Sequence, residues 1–327
     1  MIPNHWYAVL ESRQIPAGGL IGATRMGEKL VFWRTADQVV CLRDLCAHRG
    51  AALSAGKVIE DHIQCPFHGL RYDGDGRCRL IPANGRQAEV PERFRVLPYT
   101  AREAHGFVWI WYGAPRQEYP PLPWPEDLDD TFTYTTIRDP WPVHYSRAIE
   151  NQLDPVHVPF VHANNIGRGN RTLVNGPVAS WRGDTMIIHT FNEKDQGQQP
   201  LKPQEIAPPY PDFRLEYYLP NIWQNRIADP VRVLAAFAPV DEENCLIYLR
   251  YYHRLTRVPL LRQFIAWTGK VFSRIVLRQD KRVVTTQRPK KTALRMAENL
   301  IQGDLPIIEF RRRRQELIDQ AQEQQEA

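Results

Sequence analysis

Over roughly the first third of the chain, apolar positions come in short runs broken by turn residues, the spacing of small strands and not of helices. Residues 30–34 and 39–42 are β-prone runs on either side of Thr35-Ala36-Asp37-Gln38, a turn candidate. Residues 58–65 read as two short runs around Glu60-Asp61, and residues 72–78 carry two Asp-Gly pairs that predict a tight turn. Phe107-Val108-Trp109-Ile110-Trp111-Tyr112 reads as a buried strand. A Pro-rich connector at 114–125 follows, and the domain boundary is placed there, giving domains 1–115 and 116–327. In the second part, strands are predicted at 185–190, 213–218, 231–237 and 246–252, the last two joined by a hairpin turn at 239–244. Helices are predicted at 142–158 and 258–298, with a terminal helix over 307–320. The expected class is α+β: an all-β N-terminal domain, then a domain with an antiparallel sheet flanked by helices. Polar segments at 164–171 and 197–211 read as loops, the first mobile and the second near the site.

Composition changes this picture little. The chain has 327 residues, 43% hydrophobic and 24% charged, enough to bury its own core. The net charge of +5 is dispersed except for Arg311 to Arg314, which suits an acidic partner and is no nucleic-acid footprint. That arginine run reads as a solvated face or subunit contact, with Arg312 and Arg313 as a docking hypothesis for an acidic ferredoxin. No basic stretch followed by an apolar one marks the N-terminus as a signal, and no long uncharged apolar run exists. Residues 258–277, interrupted by Arg262, Lys270 and Arg274, could lie on a membrane surface, but a helix packed on the protein's own core is the expectation. Five cysteines in such a chain argue for a reducing compartment, the cytoplasm, and for metal ligation.

Two constellations carry chemistry. The first is Cys46-Ala47-His48-Arg49-Gly50 with Cys65-Pro66-Phe67-His68-Gly69, two loops that each offer one thiolate and one imidazole. Zinc, a mononuclear iron or a Rieske [2Fe-2S] cluster could use such a set. The flanking glycines and Pro66 describe two tight loops, whereas zinc fingers place their histidines on a helix. The second is Glu150-Asn151-Gln152-Leu153-Asp154-Pro155-Val156-His157-Val158-Pro159-Phe160-Val161-His162. Glu150, Asp154 and His157 fit one helical face, while His162 lies about 500° further round from His157. Pro159 is expected to break the helix and return His162 toward His157, making a pair of metal ligands.

Together these motifs resemble the catalytic α subunit of the Rieske non-haem iron oxygenases. The resemblance covers nearly the whole chain, with Leu70 departing from a common aromatic at a packing position. It implies a cluster held by Cys46, His48, Cys65 and His68, and a mononuclear Fe(II) held by His157, His162 and a late carboxylate. Asp280, in Leu277-Arg278-Gln279-Asp280, is the candidate, with Asp304 as the weaker rival. In this family the residue matching Asp154 bonds both a metal histidine and a cluster histidine of the neighbouring subunit, which implies a homotrimer. Asn151 is expected beside the iron. O2 is the implied co-substrate. No GxGxxG follows a strand, so NAD(P)H is expected to act through a separate flavin reductase or ferredoxin. The expected substrate is an apolar, ring-containing small molecule that is hydroxylated or demethylated. Phe213, Tyr217, Tyr218, Trp223 and Phe237 are core or pocket candidates, and Arg232 and Arg250 are expected on a solvated face. Alternatives are a cis-dihydroxylating dioxygenase, a Rieske electron carrier and a zinc-stabilised binding protein.

Overall fold

The computed structural model describes residues 1–206 and 214–326. Chain contacts divide it into two compact units: Asn4–Tyr119 with Pro239–Asp241, and Met1–Pro3 with Pro120–Ala238 and Glu242–Ala327.

The first unit is built from three small sheets. His5–Glu11, Phe107–Tyr112 and Ala101–Ala104 form one. Leu20–Arg25, Glu28–Arg34, Val39–Arg43 and Pro98–Tyr99 form the second. Lys57–Ile59, His62–Gln64, Arg71–Tyr72 and Cys78–Leu80 form the third. The expected Asp-Gly turn is present: the Asp73 carboxylate accepts from the Asp75 and Arg77 amides at 3.0 and 2.8 Å. Val31, Trp33, Leu42, Leu53, Ile63, Leu70 and Tyr72 form a core under the two Cys/His loops. Cys41 and Cys78 are buried in strands, and Leu70 is a core residue as its packing role requires.

The second unit is a seven-stranded sheet: β1 (Thr133–Trp141), β2 (Leu173–Arg182), β3 (Thr185–Glu193), β4 (Arg214–Tyr218), β5 (Ile222–Ala228), β6 (Val231–Pro239) and β7 (Cys245–His253). Their order is β1-β7-β6-β5-β4-β3-β2, with Ile137 opposite Leu249 and Tyr217 opposite Trp223 in antiparallel register. Phe213 and the later part of the 197–211 loop lie outside the described residues. The sequence pattern had not disclosed β1, β2 and β5. Pro140 and a charged pair interrupt the alternation of β1, and Gly176-Pro177 sits where the register of β2 shifts.

Among the described residues, four helices accompany the sheet: α1 (Tyr145–Leu153), α2 (Val158–Val161), α3 (Pro259–Val284) and α4 (Leu305–Glu326). The single helix expected over 142–158 is therefore two. It breaks at Pro155 and not at Pro159, because the residue before a proline is pushed out of the helical region, and Asp154 is extended (φ −90°, ψ 112°). Pro159 occupies the first turn of α2, where no backbone donor is needed. α3 ends at Val284, well short of 298. Arg232 and Arg250 are fully buried, contrary to expectation. Arg232 pairs with Asp127 and Asp229, and the Arg250 guanidinium lies 4.4 Å from the Tyr134 ring centre while donating to Tyr252 Oη. Burial in a strand left each cation needing a carboxylate or a ring face.

Candidate functional site

The two Cys/His loops are near copies of each other. The Gly50 amide donates to the Cys46 carbonyl at 2.9 Å, and the Gly69 amide to the Cys65 carbonyl at 3.1 Å. The Cys46 amide returns to Ala51, and the Cys65 amide to Leu70, each at 2.8 Å. Both glycines have φ near +75°, a conformation that side-chain-bearing residues rarely adopt, so each loop closes in five residues because glycine ends it. The cysteines are buried and the histidines exposed, with the His48 and His68 ring centroids 4.7 Å apart. Cys46 Sγ lies 3.2 Å from Tyr72 Oη. Burial pushes the Cys65 thiol up, while the Phe67 and His68 amides directed at its sulfur work the other way and favour a thiolate. Two inward sulfurs and two outward imidazoles from a matched loop pair fit a cluster ligated by Cys on one iron and His on the other.

The second centre lies on one wall of the large sheet's cavity. His157, at the start of α2, His162, at its end, and Asp280, on α3, place one donor atom each within 4.8 Å of one another. Asp280 Oδ1 is 2.9 Å from His162 Nε2 and 3.4 Å from His157 Nε2, yet it is buried and accepts no aligned hydrogen bond. Metal bonds of about 2.0–2.2 Å at right angles put neighbouring donors about 3 Å apart, so this spacing suits a shared cation. The charge balance agrees. Burial would push the Asp280 carboxyl up, but the two imidazoles facing it hold it below the usual range. Burial likewise disfavours charge on His157, but the Asp154 and Asp280 carboxylates prevail and push it up to about 9. Two carboxylates thus call for positive charge at this point, which a divalent cation supplies with both imidazoles neutral.

Gln279 completes the arrangement, and sequence reading missed its part. Its Oε1 can only accept, so His162 Nδ1 donates to it at 2.9 Å and turns its Nε2 lone pair toward Asp280. Asn165 Nδ2 donates to the same oxygen at 3.0 Å. The expected loop at 164–171 is accordingly a run of turns tied back to His162. The Gln-Asp pair was visible in the sequence, but only the packing of α3 beside α2 shows what the glutamine does.

Asp154 caps the end of α1. Its Oδ1 accepts from the Val156 amide at 2.6 Å, and its Oδ2 lies 3.5 Å from His157 Nδ1, a buried atom without an aligned partner. Asn151 lines the cavity, and its Nδ2 is buried and unbonded. Glu150 does not share their face. It accepts two bonds from Arg311 at 2.7 and 2.8 Å and one from Arg147 at 3.0 Å. This corrects the reading of the arginine run. Arg311 and Arg314 are buried, Arg314 donating to Thr292, and only Arg312 and Arg313 point outward. Asp304 accepts from the Ile301 amide at 2.8 Å and stands outside the donor cluster.

The cavity has a volume of about 630 Å³. Its walls are mainly apolar, with Trp223, Leu249 and Val233 from the sheet and Phe272, Val276 and Leu277 from α3. Among the aromatics singled out in the sequence, Trp223 lines it, while Tyr217 and Phe237 are buried in the core. No described helix is long and apolar enough to cross a membrane.

Residues 5–93 match the Rieske [2Fe-2S] domain model, and residues 141–320 match the model of the vanillate O-demethylase oxygenase C-terminal domain. Methylxanthine N3-demethylase NdmB of Pseudomonas putida is 28% identical over 94% of this chain and 86% of its own length. Chlorophyllide a oxygenase of Chlamydomonas reinhardtii is 35% identical over 51% of this chain. The chain spans 25% of that protein, and other strong matches are also much longer, such as TIC 55 of Pisum sativum, where the span is 57%. The solved structure of NdmA from Pseudomonas putida CBB5 superposes with a TM-score of 0.81 over 98% of this chain and 92% of its own, at 20% identity, which shows the fold. With matched domains covering both donor sets, the chain belongs to the Rieske non-haem iron oxygenases.

Proposed function

We propose that the chain is a terminal oxygenase component that hydroxylates or oxidatively demethylates an apolar, ring-containing small molecule. It uses O2 and electrons that originate in NAD(P)H and arrive through a separate reductase or ferredoxin. The observation that carries this reading is the buried His157–His162–Asp280 cluster opening on a largely apolar cavity, in a chain that also bears the paired Cys/His loops.

Cys46, His48, Cys65 and His68 would hold the cluster, and His157, His162 and Asp280 the mononuclear iron. When bound, the cluster supplies single electrons and the iron supplies O2 activation. The protein's part is positional. Gln279 keeps His162 in the tautomer that presents Nε2. Asp154, beside His157 Nδ1 and still a quarter exposed, would orient that ring and bond a cluster histidine of a neighbouring subunit in a trimer. The exposed His48 and His68 edges leave the cluster side open to a redox partner or subunit. Asn151 offers a free donor beside the reacting atoms. Trp223, Phe272 and Leu277 exclude water and take up a flat apolar ring. The demethylase among the relatives favours insertion of one oxygen atom over cis-dihydroxylation.

Anaerobic purification with iron and sulfide analysis should give about three irons and two sulfides per chain, with a reducible cluster spectrum. Turnover under labelled O2 should then place one labelled oxygen in an alcohol or a released aldehyde. A cis-diol carrying two labelled atoms would replace the monooxygenase reading, and zinc without sulfide would end the oxygenase reading.

A further inference from the structure

Helix α3 has a second face that the oxygenase chemistry does not use. Ala266, Ser273, Leu277, Asp280 and Val284 turn inward on one stripe. On the roughly opposite side, by about 100° per residue, Leu260, Phe264, Trp267, Val271 and Ile275 recur with helical spacing, and all are exposed. Leu260 is 82% and Trp267 58% exposed, and the Phe264 and Trp267 rings are 6.2 Å apart. The expectation that this segment packs on the protein's own core thus holds for one stripe only. The second stripe is contiguous and apolar, the kind of surface that marks an interaction site.

Charge identifies the partner. No Asp or Glu lies between Arg254 and Gln279. Arg257, Arg262, Arg274 and Arg278 are exposed, and Lys270 is partly so. Their neighbours in the chain supply no acid, and none of the five appears in an ion pair among the described residues. Some outward cations elsewhere do find a carboxylate, as Arg254 does in Asp229 and Arg312 in Glu309, but along 255–278 there is none within the segment to find. Pairing this face with a second copy of itself would set these cations against their like. An anionic lipid surface satisfies both features, since long basic side chains reach headgroup phosphates while the apolar stripe enters the acyl boundary. A tryptophan in mid-stripe suits that boundary.

We propose that α3 docks this protein on the surface of an anionic phospholipid bilayer, lying in the interface without crossing it. The same helix walls the cavity through Phe272, Ser273, Val276 and Leu277, and Phe272 is itself nearly half exposed. A lipid-dissolved substrate would therefore meet the cavity lip at the membrane. That last step rests on the oxygenase reading, whereas the docking does not.

The test is flotation of the full-length holoprotein with vesicles of phosphatidylcholine alone and of phosphatidylcholine mixed with phosphatidylserine. The protein should float with the mixed vesicles and not with the neutral ones, less so at high salt. The double variant Phe264→Ser/Trp267→Ser should bind at least about tenfold more weakly, with unchanged cluster absorption, iron content and sedimentation mass. Charge reversal by Arg257→Glu/Arg262→Glu should weaken binding as well. No flotation of the wild type with anionic vesicles would overturn the proposal. So would equal flotation of the wild type and the Phe264→Ser/Trp267→Ser variant, or a fall in sedimentation mass of that variant, which would make the face a subunit contact. None of these readouts depends on turnover, so failure here is distinct from failure of the oxygenase reading.

Discussion

In the Cys/His loops, all four donors lie within residues 46–69, and each loop closes on itself through a cysteine carbonyl and a glycine amide. The His157–His162–Asp280 cluster is assembled differently. Its histidines stand on either side of a four-residue helix, and its carboxylate comes from α3. Gln279, which orients His162, is 117 positions away from it. The helix that leads into the histidines, α1, is in turn held by α4, whose Arg311 grips Glu150 across 161 positions. One site is templated by local turn chemistry, the other by the packing of three helices. The first should therefore tolerate distant damage that the second does not.

The strongest challenge to that contrast is removal of a donor from each site. Asp280→Ala should abolish turnover and lower the iron content by about one per chain, leaving the visible cluster bands intact. Cys65→Ala should remove the cluster's bands and sulfide together. Metal and sulfide analysis with visible spectra reads both, and a bleached cluster in Asp280→Ala would break the claim of independent assembly.

Next in size is the clamp. Arg311→Ala leaves Glu150 in a buried pocket with Arg147 as its remaining close partner, a type of change that costs about 3–5 kcal/mol. Arg312→Ala, one residue along but outward, should stay within about 0.5 kcal/mol. Chemical denaturation separates them. In Arg311→Ala the mononuclear iron should be lost at lower denaturant than the cluster absorption, because α1 is the element released.

The smallest effect sharpens the comparison most. Gln279→Leu keeps all three donors but removes the acceptor for His162 Nδ1–H, so Fe(II) affinity should fall about 10–100-fold. The cluster's spectrum and potential should not move. An Fe(II) titration giving wild-type affinity would show that the packing of α2 alone orients the ring.

What could be read in the chain and what could not divide along the same physical line. Cys46, His48, Cys65 and His68 were legible because the spacing within each loop and the following glycine determine the turn. His157 and His162 were legible as a pair, although the break between α1 and α2 was assigned to the wrong proline. Helix ends depend on the residue before a proline as much as on the proline itself. The alternation of β1 and β2 was masked by Pro140 and Gly176-Pro177, whose cost is offset by neighbouring strands that no local window contains. Arg311, Arg314, Arg232 and Arg250 looked solvated because composition makes arginine a surface residue. They are buried because partners distant in sequence wait for them: carboxylates for Arg311 and Arg232, a ring face for Arg250, and the Thr292 hydroxyl and carbonyl for Arg314.

By itself, the sequence determined the donor types, their local loops, the α+β class and the apolar stripes of α3, all set by turn chemistry and periodicity. Only the tertiary structure decided that Gln279 faces His162, that Arg311 grips Glu150 and that one stripe of α3 stays uncovered. Those outcomes depend on which distant surfaces meet, and burial is a property of the assembled pair, not of either segment.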